Sequence, residues 1–290
     1  MNIIEAILLG ILQGITEFLP VSSSGHLSIF KAFFGLKDIG ITFDILLHVG
    51  TLIAVFIAFY KDIWELIVNG LGIIGSSIVN CCTFVHNLFS KNKKEYTKVL
   101  STPYRRFAML VIVSTIPTGI IGILFNDAIE KAGTYIIVPG ICLLITGVLL
   151  LISDNVKTGK YDENTLPFKN SFCVGIAQGF ATLPGISRSG TTITASLMFG
   201  FTREFAVKYS FIMSIPVILG AAILDIPDML EAAEDTSMLV NYGAGMLAAA
   251  VVGYICIKTM LKVVRGKKLK GFAYYCFAMG IIASVAFFII

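Results

Sequence analysis

The sequence predicts an all-α polytopic membrane protein with six transmembrane helices and two re-entrant helical hairpins, arranged as an inverted-topology repeat. Hydrophobic residues make up 56% of the 290 residues and charged residues only 14%, whereas a soluble domain carries about 25% charged residues. Apolar runs long enough to cross a bilayer recur along the chain. A polar motif that interrupts one apolar run is repeated 165 residues later, so that Gly10 aligns with Gly175.

The first half opens with two short apolar runs, residues 2–19 and 21–35, which Pro20 separates. Because proline disfavours helical backbone at the residue before it, we predict a helical hairpin that turns back inside the bilayer. Residues 43–60 are predicted to be the first full span. Residues 63–89 carry several polar side chains and are predicted to form an interfacial or partly inserted helix.

The second half repeats this order of a broken pair followed by spans. A second pair of short runs, 171–183 and 187–201, is broken at Pro184 and Gly185, after a polar loop at 154–169. The remaining predicted spans are 107–125, 134–152, 205–224, 238–257 and 272–289. Each half therefore contains one hairpin and three spans, and an odd number of spans inverts the second half relative to the first.

The loop charges indicate an orientation. Loops 91–106 and 258–270 are strongly basic, while loops 126–133 and 225–237 are acidic. Positive loops remain in the cytoplasm, so the first hairpin enters from outside, the second enters from the cytoplasm, and both termini lie outside.

The predicted organisation is a single membrane domain, 1–290. Repeat one covers 1–153, with a polar insert at about 61–106, and repeat two covers 171–290. The overall charge of +4 says little by itself, because the distribution of charge along the chain matters more, and no nucleic-acid partner is expected.

Two charges inside the hairpins are the strongest indication of a site. Ionisable groups at membrane depth are costly and therefore functional by default, usually with a partner. Arg188 is the one charged residue between 172 and 202, and Glu17 is its predicted partner on the first hairpin. Gln13 lies four residues before Glu17, so the two share a helix face, and Gly10 beside them allows close approach of another backbone.

The serine-rich turns predict an anion site. Both turns lead into a helix, and a helix N-terminus with free N–H groups binds anions. An arginine that forks two phosphate oxygens adds grip for a phosphate or diphosphate. Ser23 aligns with Arg188, and His26 follows Ser23 by one helical turn, within reach for proton transfer. The predicted binding residues are Gln13 and, in the two turns, Ser22, Ser24, Gly25, Ser187, Ser189, Gly190 and Thr191.

Simpler interpretations of these residues exist. The serines could be helix caps, and Glu17 could serve only as the ion-pair partner of Arg188. His48, a single histidine in an apolar span, is interpreted as a packing or hydrogen-bonding residue, and His86 as a solvated one. The combination of a glutamate, two Ser-x-Ser-Gly turns and an arginine in duplicated hairpins is more specific than any of its parts.

Two motifs carry a family resemblance across essentially the whole chain. They read Gln13-Gly-Ile-Thr-Glu17-Phe-Leu-Pro20-Val-Ser-Ser-Ser-Gly-His26 and Leu183-Pro-Gly-Ile-Ser-Arg188-Ser-Gly-Thr-Thr192. They resemble the signature motifs of the bacterial undecaprenyl-diphosphate phosphatases, the BacA/UppP family associated with bacitracin resistance. The resemblance implies a hydrolase in the bacterial plasma (inner) membrane that converts undecaprenyl diphosphate to the monophosphate carrier lipid for peptidoglycan synthesis. It also implies a site that opens to the extracytoplasmic side.

The same resemblance implies roles for individual residues. Glu17, Ser23, His26 and Arg188 match the motif acid, the proposed nucleophile, the motif histidine and the phosphate-binding arginine. Gln13 stands where many members have a second glutamate, which weakens any two-carboxylate mechanism or metal site. Whether a divalent cation, Mg²⁺ or Ca²⁺, serves as cofactor stays an open question. Ser23, His26 or water could be the nucleophile.

Other functional classes are less well supported. The second membrane-phosphatase type requires an Arg-Pro dipeptide, and the sequence has none. An ion channel is disfavoured because the hairpins hold few polar residues. A flippase or transporter of the polyprenyl phosphate lipid is the main alternative, since inverted repeats are typical of transporters, and flipping could be combined with hydrolysis.

Overall fold

The computed structural model describes residues 1–35, 41–133, 135, 137–224 and 236–289. Within these ranges the chain forms helices and no β-strand, apart from an isolated parallel bridge between Tyr161 and Phe201. The helices are α1 (Ile3–Phe18), α2 (Ser23–Phe33), α3 (Ile41–Ala58), α4 (Tyr60–Phe89), α5 (Pro103–Leu124), α6 (Asn126–Gly133), α7 (Ile137–Asn155), α8 (Phe168–Phe180), α9 (Arg188–Met198), α10 (Arg203–Leu224), α11 (Thr236–Arg265) and α12 (Lys270–Ile289).

A helix lies over each of the six predicted spans, namely α3, α5, α7, α10, α11 and α12. Of these, α5, α7, α10 and α11 are long and apolar enough to cross a membrane, and α3 and α12 are shorter apolar helices. The prediction of an all-α polytopic membrane protein is confirmed. Helix α11 continues to Arg265, so most of the predicted basic loop 258–270 is helical, because lysine and arginine are good helix formers and favour the last turn.

The two predicted acidic loops compare differently with the structure. Residues 126–133, predicted to be a loop, form the short helix α6. Of the predicted acidic loop 225–237, residues 225–235 lie outside the described residues.

Helix α4 is also long and apolar enough to cross a membrane by length and composition, but the chain that follows it runs back along most of its length, from Asn87 to Asn69. Three asparagines of α4 hold this returning strap, residues 90–102. Asn87 exchanges two hydrogen bonds with the backbone of Lys94, Asn80 exchanges two with Thr97, and Asn69 accepts one from the hydroxyl of Thr102. The strap therefore carries the chain back towards the N-terminal end of α4.

The strap determines how α4 can sit in the membrane. It is not helical, and it contains four lysines, at positions 91, 93, 94 and 98. Non-helical backbone exposed to lipid does not occur in the hydrocarbon region, because its polar groups would lack hydrogen bonds. This argues against α4 as a crossing and leaves the helices over the six predicted spans as the candidate crossings.

Each hairpin consists of two helices joined by a short turn. Helix α1 ends at Phe18, and Leu19, which precedes Pro20, has extended backbone, as expected of a residue before proline. Helix α8 ends earlier in the aligned register, at Phe180, and Gly185 in its turn has a φ of +94°. That left-handed backbone favours glycine.

Aligned glycines seat the two hairpins on the surrounding helices. Gly10 of α1 faces the backbone of Gly245 in α11, and a Cβ atom on Gly10 would collide with it. Gly175, its counterpart in α8, faces the backbone of Ser114 in α5 in the same way. Helix α1 thus packs against α11 and α8 against α5, while α7 packs against α12. The glycines allow the close backbone approach predicted for Gly10.

Candidate active site

The two hairpin turns have the same hydrogen-bond pattern at aligned positions. Ser22 caps α2 and accepts a hydrogen bond from the backbone N–H of Gly25 at 3.4 Å. Ser187 caps α9 and accepts one from the N–H of Gly190 at 3.1 Å. Each capping serine also lies near the serine two positions later, 3.4 Å from Ser24 in the first turn and 3.3 Å from Ser189 in the second. The serines are helix caps as well as candidate binding residues.

The tips of the two hairpins touch reciprocally. A Cβ atom on Gly25 would lie 3.2 Å from the Cα of Gly185, and one on Gly190 would lie 3.2 Å from the Cβ of Pro20. In the alignment of the two hairpins, Gly25 corresponds to Gly190 and Pro20 corresponds to Gly185. The two contacts are therefore the same contact made from either side, as at an interface with two-fold symmetry.

Glu17 is the centre of the polar cluster between the hairpins. Its side chain is 5% exposed, and it forms an ion pair with Arg188 of the opposite hairpin. Its Oε2 accepts hydrogen bonds from the Ser23 hydroxyl at 2.6 Å and from Gln13 Nε2 at 3.0 Å. A buried carboxylate is costly unless it is paired and hydrogen-bonded, and Glu17 is both. The sequence predicted the pairing with Arg188 and the shared face with Gln13.

A cavity of about 350 Å³ opens beside this cluster. It lies between the hairpin tips, the first two turns of α3 and the last two turns of α10. Its polar lining comprises Thr16, Glu17, Ser22, Ser23, Ser24, Asp44, His48, Thr182, Ser187 and Arg188. Its apolar lining comprises Ile45, Ala181, Ile186, Val217, Ile218, Ala221 and Ala222. The cavity is therefore polar at the tips and apolar towards α10.

The structure brings most of the predicted residues to this cavity. Glu17, Ser23 and Arg188, together with three of the capping-motif serines, line it directly. Gln13 is fully buried behind Glu17. The predicted residues Gly25, Ser189, Gly190 and Thr191 are buried within the turns and are not part of the described lining.

His26 is not brought to the cavity. Its Nδ1 donates to the carbonyl oxygen of Ser22 at 2.8 Å, and its Nε2 accepts from the Tyr275 hydroxyl at 2.7 Å. The two rings are stacked with their centroids 5.5 Å apart. Both ring nitrogens therefore form hydrogen bonds with protein groups, and the described cavity lining does not include His26. The histidine holds Ser22, which has a φ of +71°, and joins the first turn to α12.

His48 and Asp44 are site residues that sequence reasoning missed. His48 lines the cavity, and its Nε2 lies 3.7 Å from Glu17 Oε2. Its Nδ1 donates to the carbonyl oxygen of Asp44 at 2.7 Å, and the Asp44 carboxylate pairs with Lys31 at 2.7 Å. Two ionisable residues four apart in a predicted span were the available signal, since such residues are functional by default.

A metal site built by the protein alone is not present among the described residues, where no three histidine, cysteine, aspartate or glutamate side chains converge. Both oxygens of the Glu17 carboxylate already have protein partners. A divalent cation at this cavity would have to take most of its ligands from a phosphate group and water, as Mg²⁺ commonly does.

Comparison with known proteins gives one family. The family described as Bacitracin resistance protein BacA matches residues 6–282. Among the similar proteins, undecaprenyl-diphosphatase of Methanosphaera stadtmanae is 43% identical over 98% of both chains. That of Methanobrevibacter smithii is 41% identical over 97% of this chain and 96% of its own, and that of Halothermothrix orenii is 39% identical over 98% of both.

Proposed function

Since the chain belongs to the bacitracin resistance protein BacA family, we infer that it is an undecaprenyl-diphosphatase. It hydrolyses undecaprenyl diphosphate to undecaprenyl phosphate and inorganic phosphate, and so recycles the carrier lipid for cell-wall synthesis. The observation that carries this function is the Ser23 hydroxyl, which donates to Glu17 at 2.6 Å beside Arg188 in the cavity. A hydroxyl with an adjacent base and a guanidinium are groups that phosphoryl transfer requires.

The diphosphate binds at the two helix N-termini that meet at the hairpin tips. Ser23 is the first residue of α2 and Arg188 is the first residue of α9, and both line the cavity, so both helix N-termini lie at its polar end, where anions are favoured. Arg188 holds Glu17 in the free protein, and its remaining N–H groups can fork two phosphate oxygens. We propose that Arg188 stabilises the charge on the transferred phosphoryl group.

The apolar end of the cavity accommodates the start of the lipid tail. Val217, Ile218, Ala221 and Ala222 of α10 form this wall with Ile45 of α3. Burial of apolar surface is favourable at about 25 cal/mol per Å². A prenyl chain leaving the diphosphate would therefore follow this wall towards the bilayer.

We propose Ser23 as the nucleophile. Its oxygen attacks the terminal phosphorus, its proton passes to Glu17 Oε2, and undecaprenyl phosphate leaves with the electron pair of the broken P–O bond. Gln13 holds Glu17 in place through the 3.0 Å hydrogen bond. The alternative of His26 as nucleophile is less well supported, because both its nitrogens have protein partners. Direct attack by water, with Ser23 only positioning it, is the other alternative, and it differs in leaving no phosphate covalently bound to the protein.

A divalent cation, Mg²⁺ or Ca²⁺, stays a proposal. When bound to the diphosphate, such a cation would neutralise part of the phosphate charge. Because the described residues form no metal site of their own, no step above depends on it. Phosphate release measured with and without a chelator tests whether one is required.

We further propose that the cavity faces the extracytoplasmic side of the bacterial plasma membrane. It lies at the start of α3 and the end of α10. The opposite end of α10 carries Arg203 and Lys208 and pairs through Glu204 with Arg265 of α11. Positive charge marks the cytoplasmic side, so the cavity lies at the other face.

The division into repeats, 1–153 and 171–290, is likewise our proposal. It is supported by the constant offset of the hairpin contacts and by the seating of α1 on α11 and of α8 on α5. In a plasma membrane the two repeats would have opposite orientations.

A flippase of the polyprenyl phosphate lipid is the rival function, and the repeat architecture favours it. Phosphate release from purified protein in detergent micelles distinguishes the two, since micelles have no second leaflet. Lipid movement in vesicles without phosphate release would identify a carrier.

The decisive experiment uses Ser23→Ala in detergent with prenyl diphosphates of several chain lengths. We expect phosphate release to fall at least ~100-fold, as the loss of a key electrostatic or nucleophilic group does. Tyr96→Phe, an exposed change on the strap, serves as the control for purification and folding. Near-normal turnover of Ser23→Ala would remove Ser23 both as the nucleophile and as the residue that positions an attacking water.

A further inference from the structure

We propose that His48 is the general base for the second half of the reaction, the hydrolysis of the phosphate ester formed on Ser23. The proposal rests on the proposed function and extends it to a residue outside both hairpin motifs. If Ser23 is the nucleophile, Glu17 holds the serine proton after the first step and cannot also accept a proton from the attacking water. If Glu17 keeps that proton, a second base facing the cavity is needed for the second step.

His48 is the histidine that faces the cavity. Its side chain is 32% exposed, compared with 5% for Glu17, so water in the cavity can reach it. His26, by comparison, is bonded at both nitrogens to protein groups. The third histidine of the chain, His86, is exposed on α4.

The protein fixes which nitrogen of His48 can act. A carbonyl oxygen can only accept, so Nδ1 carries a proton and donates it to Asp44 O at 2.7 Å. Nε2 is then the nitrogen that gains or loses a proton. The salt bridge between Asp44 and Lys31 at 2.7 Å joins this turn of α3 to α2, and so holds the ring against the hairpin that carries Ser23.

The position of Nε2 suits a base that acts on water. It lies 3.7 Å from Glu17 Oε2, the oxygen to which Ser23 donates at 2.6 Å. A separation of 3.7 Å is too long for a direct hydrogen bond, and groups at such a separation are often bridged by water. Nε2 and Ser23 Oγ therefore approach the same region of the cavity.

The proposed step balances as follows. The oxygen of a water molecule bonds to phosphorus while the bond from phosphorus to Ser23 Oγ breaks. One water proton passes to His48 Nε2, and the proton held on Glu17 returns to Ser23 Oγ. Inorganic phosphate leaves, and His48 then releases its proton to the solvent, so that the enzyme regains its starting state.

Rapid mixing with substrate labelled with ³²P in the terminal phosphate, followed by acid quenching, tests the step. In His48→Gln we expect labelled protein to accumulate to about one equivalent per site, with phosphate release at least ~100-fold slower, the scale of a lost general base. His86→Gln on the exposed face of α4 should behave as wild type. Ser23→Ala combined with His48→Gln should carry no label.

A rescue experiment separates a chemical from a structural role. In His48→Ala the ring is replaced by space, and added imidazole should restore phosphate release from the labelled protein, which mere loss of packing would not allow. Slow release in His48→Gln without labelled protein would overturn the proposal, as would release at the wild-type rate. If wild-type protein releases no phosphate at all, it is the proposed function that fails.

Discussion

The two hairpins have the same backbone design and different chemistry. Aligned positions in both provide a glycine that meets a neighbouring helix, a capping serine and a glycine at the tip contact. Aligned positions that differ carry the reactive groups. Glu17 corresponds to Thr182, and Ser23 corresponds to Arg188.

In the proposed mechanism, this difference separates the residues that build the fold from those that act on substrate. The shared glycines and capping serines serve packing and turn geometry, which the two-fold arrangement requires from each half. Positions that differ are free of that requirement. The acid and the hydroxyl lie on the first hairpin and the guanidinium on the second, so the cluster forms only where the two tips meet.

The largest effect is expected at Arg188, where one substitution removes the positive charge and another keeps the charge but changes the shape of the side chain. Arg188→Ala should lower phosphate release at least ~100-fold. It should also destabilise the protein by about 3–5 kcal/mol, because it leaves Glu17 buried without its ion-pair partner. Arg188→Lys keeps the charge but loses the two-pronged grip on phosphate, so it should retain stability while staying slow. Thermal unfolding in detergent and phosphate release measure both.

Equal activity of Arg188→Lys and wild type would show that a point charge is sufficient and would contradict the forked binding of phosphate. Unchanged stability of Arg188→Ala would indicate that Glu17 becomes protonated or finds another partner. In that case the division of chemistry between the hairpins would not be needed for folding.

An intermediate effect is expected from the seating glycines. Gly10→Ala and Gly175→Ala each place a Cβ atom against backbone of the neighbouring helix, and overpacking of this kind costs about 1–3 kcal/mol. Since the two sites are equivalent in register, the two losses of unfolding free energy should be similar. Gly122→Ala in α5 is the matched control, because nothing beyond the adjacent backbone of its own helix lies within 4 Å of its added Cβ.

A large loss for one glycine and none for the other would contradict the equivalence of the two seats. It would also remove the main packing evidence for similar halves.

The smallest effect is expected from the hydrogen bonds that join each hairpin turn to a neighbouring helix, α12 for the first turn and α7 for the second. In the first turn Tyr275 of α12 donates to His26, and in the second Thr146 of α7 accepts from the N–H of Ser187 at 3.0 Å. Tyr275→Phe should cost about 1 kcal/mol, and Thr146→Val somewhat more, because it leaves a buried N–H without a partner. Both should lower phosphate release less than tenfold, with Tyr274→Phe, which is exposed, as the control.

A loss of activity in Tyr275→Phe as large as that in Ser23→Ala would contradict the fastening role. It would return His26 to the chemical step.

The sequence predicted the parts of this molecule that depend on local pattern. Hydropathy located the six spans, and helical spacing placed Gln13 and Glu17 on one face. The rarity of charge at membrane depth paired Glu17 with Arg188. These predictions are confirmed in position, while the catalytic roles stay predictions.

The sequence could not predict contacts made by distant elements. The direction of His26 depends on Tyr275, which lies 249 residues away along the chain. His48 joins the cavity only because the first turns of α3 pack beside the hairpin. The continuation of α11 to Arg265 also escaped prediction, because basic residues suit both a helix end and a loop.

The returning strap has a consequence for how the two halves could come to differ in length. A segment inserted into a membrane protein reverses every later crossing if it leaves the chain on the opposite side of the bilayer. The polar insert of repeat one begins and ends at the same side, because residues 90–102 retrace α4. In the proposed two-repeat arrangement it therefore adds length without changing the number of crossings, and Arg188 can still meet Glu17 from the opposite face.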